Sequence, residues 1–293
     1  MARLFCFGLG FSALTLARQL SGEGWTIAGT CRTQGKCDKL STEGINAFCF
    51  DGSAALGNDA ADALAQSDHL LISIPPGAAG DPVIKQAAQQ IQAAGGGMRW
   101  AGYLSTTGVY GDTGGAEVTE NSPLAPTSPR GEYRVAAEKA WLDLGAACGI
   151  PVHVFRLAGI YGPGRSVLDQ LRHGNARRVD KADHRFSRIH VEDIAKVLRA
   201  SMARPSAGTV YNVCDDEPAA QSDVVAYGAD LIGETPPPAI PFQDASKSMS
   251  PMALTFWRDN RTVSNARIKD QLGVTLTYPT YREGLAATLK AGG

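Results

Sequence analysis

Short, almost purely apolar runs alternate along this chain with longer segments in which apolar residues recur every three or four positions. The first run covers residues 4–7, and a helical spacing of apolar residues follows it until Gly22. A second apolar run at 26–30 completes a strand–helix–strand unit. Further apolar runs, each followed by glycine, proline or polar residues, lie at 45–50, 69–74, 100–105, 152–157 and 210–213. Near-continuous apolar strands that alternate with helices predict a doubly wound parallel α/β sheet covered on both faces.

Helix signals complete this pattern. Asp81 followed by proline predicts a capped helix that ends near residue 94, before three glycines. Later helices are predicted over 190–203, with His190 as a structural residue at its start, over 222–232, with Ser222 as the cap, and over 281–291.

The turn after the first strand has the pattern Gly-x-Gly-x-x-Ala. Gly8 permits a tight turn, Gly10 has no side chain to keep a phosphate from the backbone, and Ala13 lets the following helix pack closely on the sheet. The amides at the start of the helix, those of Phe11, Ser12 and Ala13, would point at an anion, aided by the helix dipole. Because a strand precedes the turn and a helix follows it, the context favours a dinucleotide site over a purely structural turn.

Three residues at the ends of neighbouring strands extend this site. Arg32 follows the second strand, where an acid that binds the ribose hydroxyls of NAD is expected, and a guanidinium there favours the 2′-phosphate of NADP. NAD stays the alternative, since ribose acids sometimes come from elsewhere in the sheet. Asp51 follows the third strand and either meets the adenine or holds an ordinary turn. Pro75 follows the fourth strand, and we expect it to contact the cofactor.

Composition narrows the class of protein. The 293 residues include 28 basic and 29 acidic side chains, so the net charge of −1 offers no basic field for nucleic acid or an anionic membrane surface. The first apolar run is too short for a signal peptide and no later run approaches a membrane span, which predicts a cytoplasmic protein. Six cysteines show neither Cys-x-x-Cys nor zinc spacing, so we expect small buried apolar residues and no metal site.

Four further motifs occur in order: residues 104–111 (LSTTGVYG), 129–138 (PRGEYRVAAE), 156–165 (RLAGIYGPGR) and 188–194 (RIHVEDI). Together with the glycine turn they resemble the extended short-chain dehydrogenase/reductases, the NAD-dependent epimerase/dehydratase family. The resemblance implies a Rossmann domain, residues 1–164 and 188–214, and a smaller C-terminal substrate lobe, residues 165–187 and 215–293. It implies a small-molecule substrate, and it leaves a homodimer open.

The resemblance also implies a catalytic set that this chain keeps only in part. The hydroxyl position is Thr106, but Arg130 stands at the tyrosine position and Arg134 at the lysine position. A guanidinium stays protonated near neutral pH, so it cannot exchange protons as a phenol beside a lysine does. Tyr133 is the candidate replacement as proton donor, against the alternative of a partly buried helix tyrosine.

Other departures bear on the substrate. The sugar dehydratases of the family carry Asp-Glu directly after the hydroxyl residue, and this chain has Thr107 and Gly108. Arg165 would face the cleft between the lobes and is the candidate substrate residue. Arg258 and Arg261 either hold an anionic substrate or are solvated.

Arg130 and Arg134 are either exposed residues on a helix without chemistry or two charges recruited to one face. In the second case we expect a bound anion near the pair, or a carboxylate such as Glu132 or Glu138.

Two functions follow from these observations. One is an oxidoreductase or epimerase that acts on a carbonyl or hydroxyl group, with nucleotide sugars as a candidate substrate class. The other is a non-catalytic NADP-binding sensor or interaction protein on a degenerate enzyme fold. Thr106 and a cleft lined by Arg130 and Arg165 favour the enzyme.

Overall fold

Strands and helices alternate along residues 1–292, which this computed structural model describes. The strands are β1 (Arg3–Phe7), β2 (Thr26–Cys31), β3 (Asn46–Cys49), β4 (His69–Ile72), β5 (Trp100–Thr106), β6 (Glu117–Val118), β7 (Val152–Leu157), β8 (Gly159–Tyr161), β9 (Arg178–Asp180), β10 (Arg188–His190), β11 (Thr209–Val213), β12 (Ala239–Pro241) and β13 (Thr262–Val263). The helices are α1 (Phe11–Gly22), α2 (Gln34–Thr42), α3 (Asn58–Ala65), α4 (Pro82–Ala94), α5 (Pro129–Cys148), α6 (Val167–Arg172), α7 (Val191–Met202), α8 (Gln221–Leu231), α9 (Phe242–Ala245), α10 (Pro251–Arg258), α11 (Ala266–Leu272) and α12 (Tyr281–Lys290).

A seven-stranded sheet in the order β11-β7-β5-β4-β1-β2-β3 forms the centre, and every pair in it is parallel. The chain starts at β1 and winds outward in both directions, so the strand order reverses beside β1. Ligands of such sheets bind where the order reverses, at the carboxyl ends of the strands. The predicted doubly wound parallel sheet is confirmed.

Separate apolar clusters cover the two faces of this sheet. One contains Leu16 of α1 and Leu198 of α7, and the other contains Ala87 of α4 and Trp141 of α5. All four side chains are at most 1% exposed. The helices on each face therefore hold the sheet rigidly, and the carboxyl ends of β1 to β5 form one fixed edge.

Three two-stranded parallel pairs connect the C-terminal segments to this framework: β8 with β10, β9 with β12, and β6 with β13. The pair of β6 and β13 matters most for the site, because it places Thr262 beside Glu117, in the segment that follows β5. The segment around Thr262 is thereby held beside the segment that follows β5.

Most predicted elements agree with the structure to within two residues. His190 is the N-cap of α7, and its ring accepts a hydrogen bond of 3.3 Å from the Glu192 amide. The short strand β10 directly before it was not predicted. The prediction that Ser222 caps a helix was wrong: the N-cap is Ala220, where the backbone is extended, and Ser222 lies inside α8.

The prediction that all six cysteines are small buried apolar residues was also wrong. Cys31 and Cys37 form a disulfide, because α2 lies over the edge of the sheet where β2 ends. Cys49 is an exposed free thiol and Cys148 is half-buried, whereas Cys6 and Cys214 are buried as expected.

Candidate functional site

The glycine turn joins β1 to α1 at the reversal of the strand order. Gly8 has a φ of +90°, and a Cβ added there would lie 2.8 Å from Ile74 Cγ1 and 2.9 Å from Ser73 Oγ. Its amide donates to Thr30 Oγ1 at 2.9 Å. Gly8 is therefore required both by its backbone conformation and by the close approach of the segment that follows β4.

Gly10 differs from Gly8, because the space beside it is open. It is exposed, and a Cβ added there would meet no heavy atom within 4 Å. It is the N-cap of α1 and offers no side-chain acceptor, so the amides of Phe11, Ser12 and Ala13 lack the partner that a capping side chain would give. The turn thus combines room for a ligand with backbone donors that suit an anion.

Two basic residues lie beside this turn. Arg32 directly follows β2, is exposed, and has no hydrogen-bond partner within residues 1–292. Lys36, in the first turn of α2, donates from Nζ to the Leu9 carbonyl at 2.7 Å. The sequence reasoning missed Lys36, although its position four residues after Arg32 at a helix start was a usable signal.

Asp51 and Pro75 follow the adjacent strands. Asp51 is exposed, and its Oδ1 accepts from the Ser53 hydroxyl at 2.6 Å and from the Ser53 amide at 2.9 Å. These two hydrogen bonds hold the pKa of its carboxyl below the ordinary value. Asp51 therefore holds a local turn, one of its two predicted roles. Pro75 is exposed and follows Ile74, the residue that contacts Gly8.

Thr106 ends β5, at the same edge of the sheet. It is half-buried, and its Oγ1 accepts from the Gly108 amide at 3.1 Å. Arg130 lies exposed in the first turn of α5, and Tyr133 is half-buried one turn further on. Within residues 1–292 neither of these α5 side chains has a hydrogen-bond partner, so both remain available to a ligand.

Arg134 points towards the sheet instead. Its Nη1 donates to the Leu104 carbonyl and, at 3.3 Å, to the Tyr103 hydroxyl. Its guanidinium carbon lies 5.7 Å from the centre of the Tyr103 ring, a cation–π contact. Burial raises the pKa of Tyr103 above its usual range, so this phenol stays protonated. Arg134 thus fastens α5 to β5, and its charge is engaged by the protein.

Of the two carboxylates expected near the arginine pair, Glu138 forms its ion pair with Arg156 and not with Arg130 or Arg134. Glu138 is 3% exposed and forms an ion pair with Arg156, whose Nη2 lies 2.8 Å from Oε2. Its Oε1 also accepts from the Ser105 hydroxyl at 2.5 Å. The helix turns Glu138 inward onto β5 and β7, where the buried guanidinium of Arg156 is the stronger partner. Glu132 is exposed and forms no ion pair within the described part of the chain.

Arg156 extends this buried network to the loop after Thr106. Its Nη1 donates to the Tyr110 hydroxyl at 2.8 Å, and that hydroxyl donates to Asn212 Oδ1 at 2.7 Å. Burial raises the pKa of Tyr110, so it remains a donor over the physiological range. Tyr110 ends the short 3-10 turn that begins directly after Thr106. The network therefore fixes the backbone of the turn that follows Thr106.

The segment before β13 closes over the same loop. Arg261 donates from Nη1 to the Gly111 carbonyl at 2.6 Å and to Asp259 Oδ2 at 3.0 Å. Arg258 donates to the Thr127 carbonyl at 3.1 Å. Both arginines thus bind protein groups, so neither of the two predicted alternatives, anion binding or simple solvation, describes them fully.

Arg165 is exposed and connects the glycine turn to the C-terminal half. Its guanidinium carbon lies 5.7 Å from the centre of the Phe11 ring. It also lines a cavity of about 500 Å³, together with Tyr161, Arg188 and Tyr281. Arg165 is therefore placed to contact a ligand at the start of α1 as well as one in the cavity.

Residues 1–292 contain neither a candidate metal site nor a membrane-spanning helix. No group of three or more histidine, cysteine or acidic side chains there could hold a metal ion. None of the helices in that range has the length and apolar character needed to cross a membrane.

The chain is similar to known proteins over its whole length. A functionally unknown conserved protein from Silicibacter pomeroyi DSS is 46% identical, covers 100% of this chain and 99% of its own, and superposes with a TM-score of 0.89. The two proteins belong to one family. Residues 90–214 match the model of the NAD dependent epimerase/dehydratase family, so this part of the chain is similar to that family.

Two further proteins are similar over nearly the whole chain. Protein YeeZ of Escherichia coli K12 is 28% identical over 285 residues, which are 95% of this chain and 97% of YeeZ. The dTDP-glucose 4,6-dehydratase of Bacillus anthracis, solved in complex with NAD, is 16% identical, with 99% of this chain and 96% of that one covered and a TM-score of 0.78. At that identity the dehydratase is evidence for the fold alone.

Proposed function

We propose that this protein binds a nicotinamide dinucleotide along the carboxyl edge of its central sheet, with the pyrophosphate at the start of α1. The observation that carries the proposal is the open space beside Gly10 in front of the uncapped helix amides. Gly8, Ile74 and Pro75 would form one wall of this site, since Ile74 approaches Gly8 closely, and Phe11 and Arg165, which contact each other, would form another. The dTDP-glucose dehydratase of the same fold binds NAD, which supports a dinucleotide over another anion.

We propose NADP as the preferred cofactor, with NAD as the alternative. Arg32 is exposed and has no hydrogen-bond partner among the described residues 1–292, and Lys36 adds a second positive charge nearby. Asp51, the one carboxylate at the neighbouring strand end, is already engaged by Ser53. Two cations beside a carboxylate that already accepts two hydrogen bonds suit a 2′-phosphate better than a ribose diol.

Calorimetric titration with NADPH and NADH tests both statements. Tighter binding of NADPH is expected. Tighter binding of NADH would refute the role of Arg32, and binding of neither would refute the site.

We further propose that residues 1–164 and 188–214 form the dinucleotide domain and that residues 165–187 and 215–293 form the substrate lobe. The central sheet lies entirely within the first set. The cavity beside Arg165 lies between α6, α8 and α12, which come from the second set.

The reaction that suits this arrangement is oxidation, reduction or epimerisation at a carbonyl or hydroxyl group, for which the nicotinamide supplies hydride transfer. Thr106 would hold the substrate oxygen, and Tyr133 or a water would move the proton. Arg130, exposed in the first turn of α5, would place a fixed positive charge near that oxygen, which would favour an anionic substrate and stabilise developing negative charge. Nucleotide sugars are anionic and are the class named for the dehydratase of the same fold.

A second candidate function is a non-catalytic NADP sensor or interaction protein. The observation that favours it is the engagement of Arg134 with Leu104 and Tyr103, which leaves no group at that position to take up a proton. Assays of NADPH oxidation with aldehydes, ketones and nucleotide sugars separate the two functions. Turnover by the natural protein that is lost in Tyr133→Phe supports the enzyme with Tyr133 as donor.

The double variant Arg130→Tyr with Arg134→Lys sharpens that comparison. Activity gained only in the variant supports the sensor, because it shows that only the proton relay was missing. Activity lost in the variant shows that the arginines take part in the reaction. Arg134→Lys alone is the matched control, since it changes the contact to Leu104 without adding a phenol.

A further inference from the structure

Three cysteines lie together at the edge of the sheet that the proposed cofactor site uses. Cys31 at the end of β2 and Cys37 in α2 form a disulfide with a Cα–Cα distance of 6.1 Å, within the usual range. The Sγ of Cys49, at the end of β3, lies 3.7 Å from the Sγ of Cys37. The third sulfur is therefore in contact with the disulfide.

The fold explains why these sulfurs meet. Cys31 and Cys49 are paired in the parallel register of β2 and β3, so their side chains leave the same face of the sheet. Helix α2 covers that face and places Cys37 between them.

Exposure distinguishes the three residues. Cys31 is 5% exposed and Cys37 is 1% exposed, whereas Cys49 is exposed. A thiol in solution can therefore reach Cys49, while the protein shields both sulfurs of the disulfide.

We propose that Cys31, Cys37 and Cys49 form a redox-active thiol–disulfide exchange site that controls the affinity for the dinucleotide, an inference that rests on the proposed function. The Cys49 thiolate attacks the Sγ of Cys37, the Cys31–Cys37 bond breaks, and a Cys37–Cys49 bond forms. Cys31 leaves as a thiolate and takes up the proton that Cys49 lost, so this exchange needs no outside oxidant.

Exchange moves the disulfide to a pair with one exposed sulfur. A dithiol reductant can then attack Cys49, which releases the Cys37 thiol, and its second sulfur resolves the mixed disulfide. The reductant leaves as a cyclic disulfide, having supplied two electrons and two protons.

The residues enclosed by the Cys31–Cys37 bond connect the redox state to the ligand. The enclosed segment carries Arg32 and Lys36, the two cations of the proposed site, and Lys36 is bonded to Leu9 of the glycine turn. The disulfide holds these cations in place before the ligand arrives, and a preordered loop binds with a smaller entropy cost. Opening or moving the bond should therefore weaken NADPH binding about three- to tenfold.

The exchange step is tested by the rate at which dithiothreitol reduces the disulfide. Aliquots are quenched with iodoacetamide, and the disulfide peptides are mapped by mass spectrometry. In the natural protein both Cys31–Cys37 and Cys37–Cys49 peptides are expected, and Cys49→Ser should slow reduction of Cys31–Cys37 at least about tenfold.

Two variants serve as controls for this measurement. Cys148→Ser is matched, because it removes another free thiol at the end of α5 and should leave the rate unchanged. Oxidised Cys31→Ser should contain the Cys37–Cys49 bond. An equal reduction rate for Cys49→Ser and the natural protein, or the absence of any disulfide among the three residues, would overturn the proposal.

The regulatory step is tested by calorimetry with NADPH on the oxidised and the reduced natural protein. Weaker binding by the reduced protein supports the proposal, and equal affinities refute the control of affinity while leaving the dinucleotide site intact. Binding in neither state refutes the proposed function and with it the regulation, whereas the peptide map still decides whether the sulfurs exchange.

Discussion

Replacing Gly10 with aspartate should separate the stability of the protein from its proposed binding function. Gly10 has extended backbone angles, φ −86° and ψ −168°, and open space around a new Cβ, so an aspartate fits without strain. As N-cap of α1 its carboxylate can accept from the amides of Ser12 and Ala13 and interact favourably with the helix dipole. A gain of about 0.5–1 kcal/mol in the free energy of unfolding is expected.

The same carboxylate would occupy the position proposed for the pyrophosphate. A unit charge about 4 Å from a phosphate costs about 4 kcal/mol at an effective dielectric constant of about 20. The helix amides that would bind the phosphate are taken as well. Gly10→Asp should therefore weaken NADPH binding more than about a hundredfold while the protein unfolds at a higher urea concentration.

Gly57 provides a matched control. It is the N-cap of α3, has extended angles of φ −64° and ψ 155°, lacks a side-chain cap and has no heavy atom within 4 Å of an added Cβ. Gly57→Asp should raise stability by a similar amount and leave NADPH affinity unchanged. Unchanged affinity in Gly10→Asp would refute the pyrophosphate position, and an equal loss of affinity in Gly57→Asp would show that the effect is not local.

Four other outcomes follow from the structure. Arg32→Ala should weaken NADPH binding at least about tenfold and leave NADH binding unchanged in calorimetry, since a charge-assisted hydrogen bond contributes about 1.5–3 kcal/mol; equal losses would contradict the 2′-phosphate contact. Glu138→Gln should lower the free energy of unfolding by about 3–5 kcal/mol in urea, because it leaves the buried charge of Arg156 unpaired. Gly8→Ala should lower the free energy of unfolding by about 2–4 kcal/mol, because residue 8 has a positive φ and contacts the segment after β4. An unchanged urea midpoint would argue against this packing. Burial lowers the pKa of His153 from 6.5 to about 4, so between these pH values the folded protein binds fewer protons than the unfolded chain. The free energy of unfolding should therefore fall as the pH drops from 6.5 towards 4. Urea titrations of His153→Gln should show a weaker dependence of this free energy on pH in that window.

The carboxyl edge of the sheet was predictable because its signals are local. An apolar run, the glycine after it and the start of the next helix are adjacent in sequence, and parallel strands bring all such ends to one edge. This places Gly8, Arg32, Asp51 and Thr106 together without knowledge of any contact. The structure has each of them where its strand ends.

The partners of these residues were not predictable, since they come from distant segments. The contact of Arg261 with Gly111 depends on the pairing of β13 with β6. Each of these strands has only two residues, too few to give a recognisable sequence pattern. The meeting of Cys31, Cys37 and Cys49 depends on the way α2 lies across β2 and β3. The spacing of these three cysteines along the chain matches no regular motif, so it does not indicate their contact.

Arg134 shows how packing decides the role of a residue. Helical spacing puts Arg130 and Arg134 on one face, but α5 descends onto β5, so Arg134 reaches the buried Leu104 carbonyl while Arg130 stays in solvent. A guanidinium can bind that carbonyl and a phenol at once, because it has several donors in a plane. The position therefore keeps a cation that fixes the helix, and this guanidinium stays protonated near neutral pH.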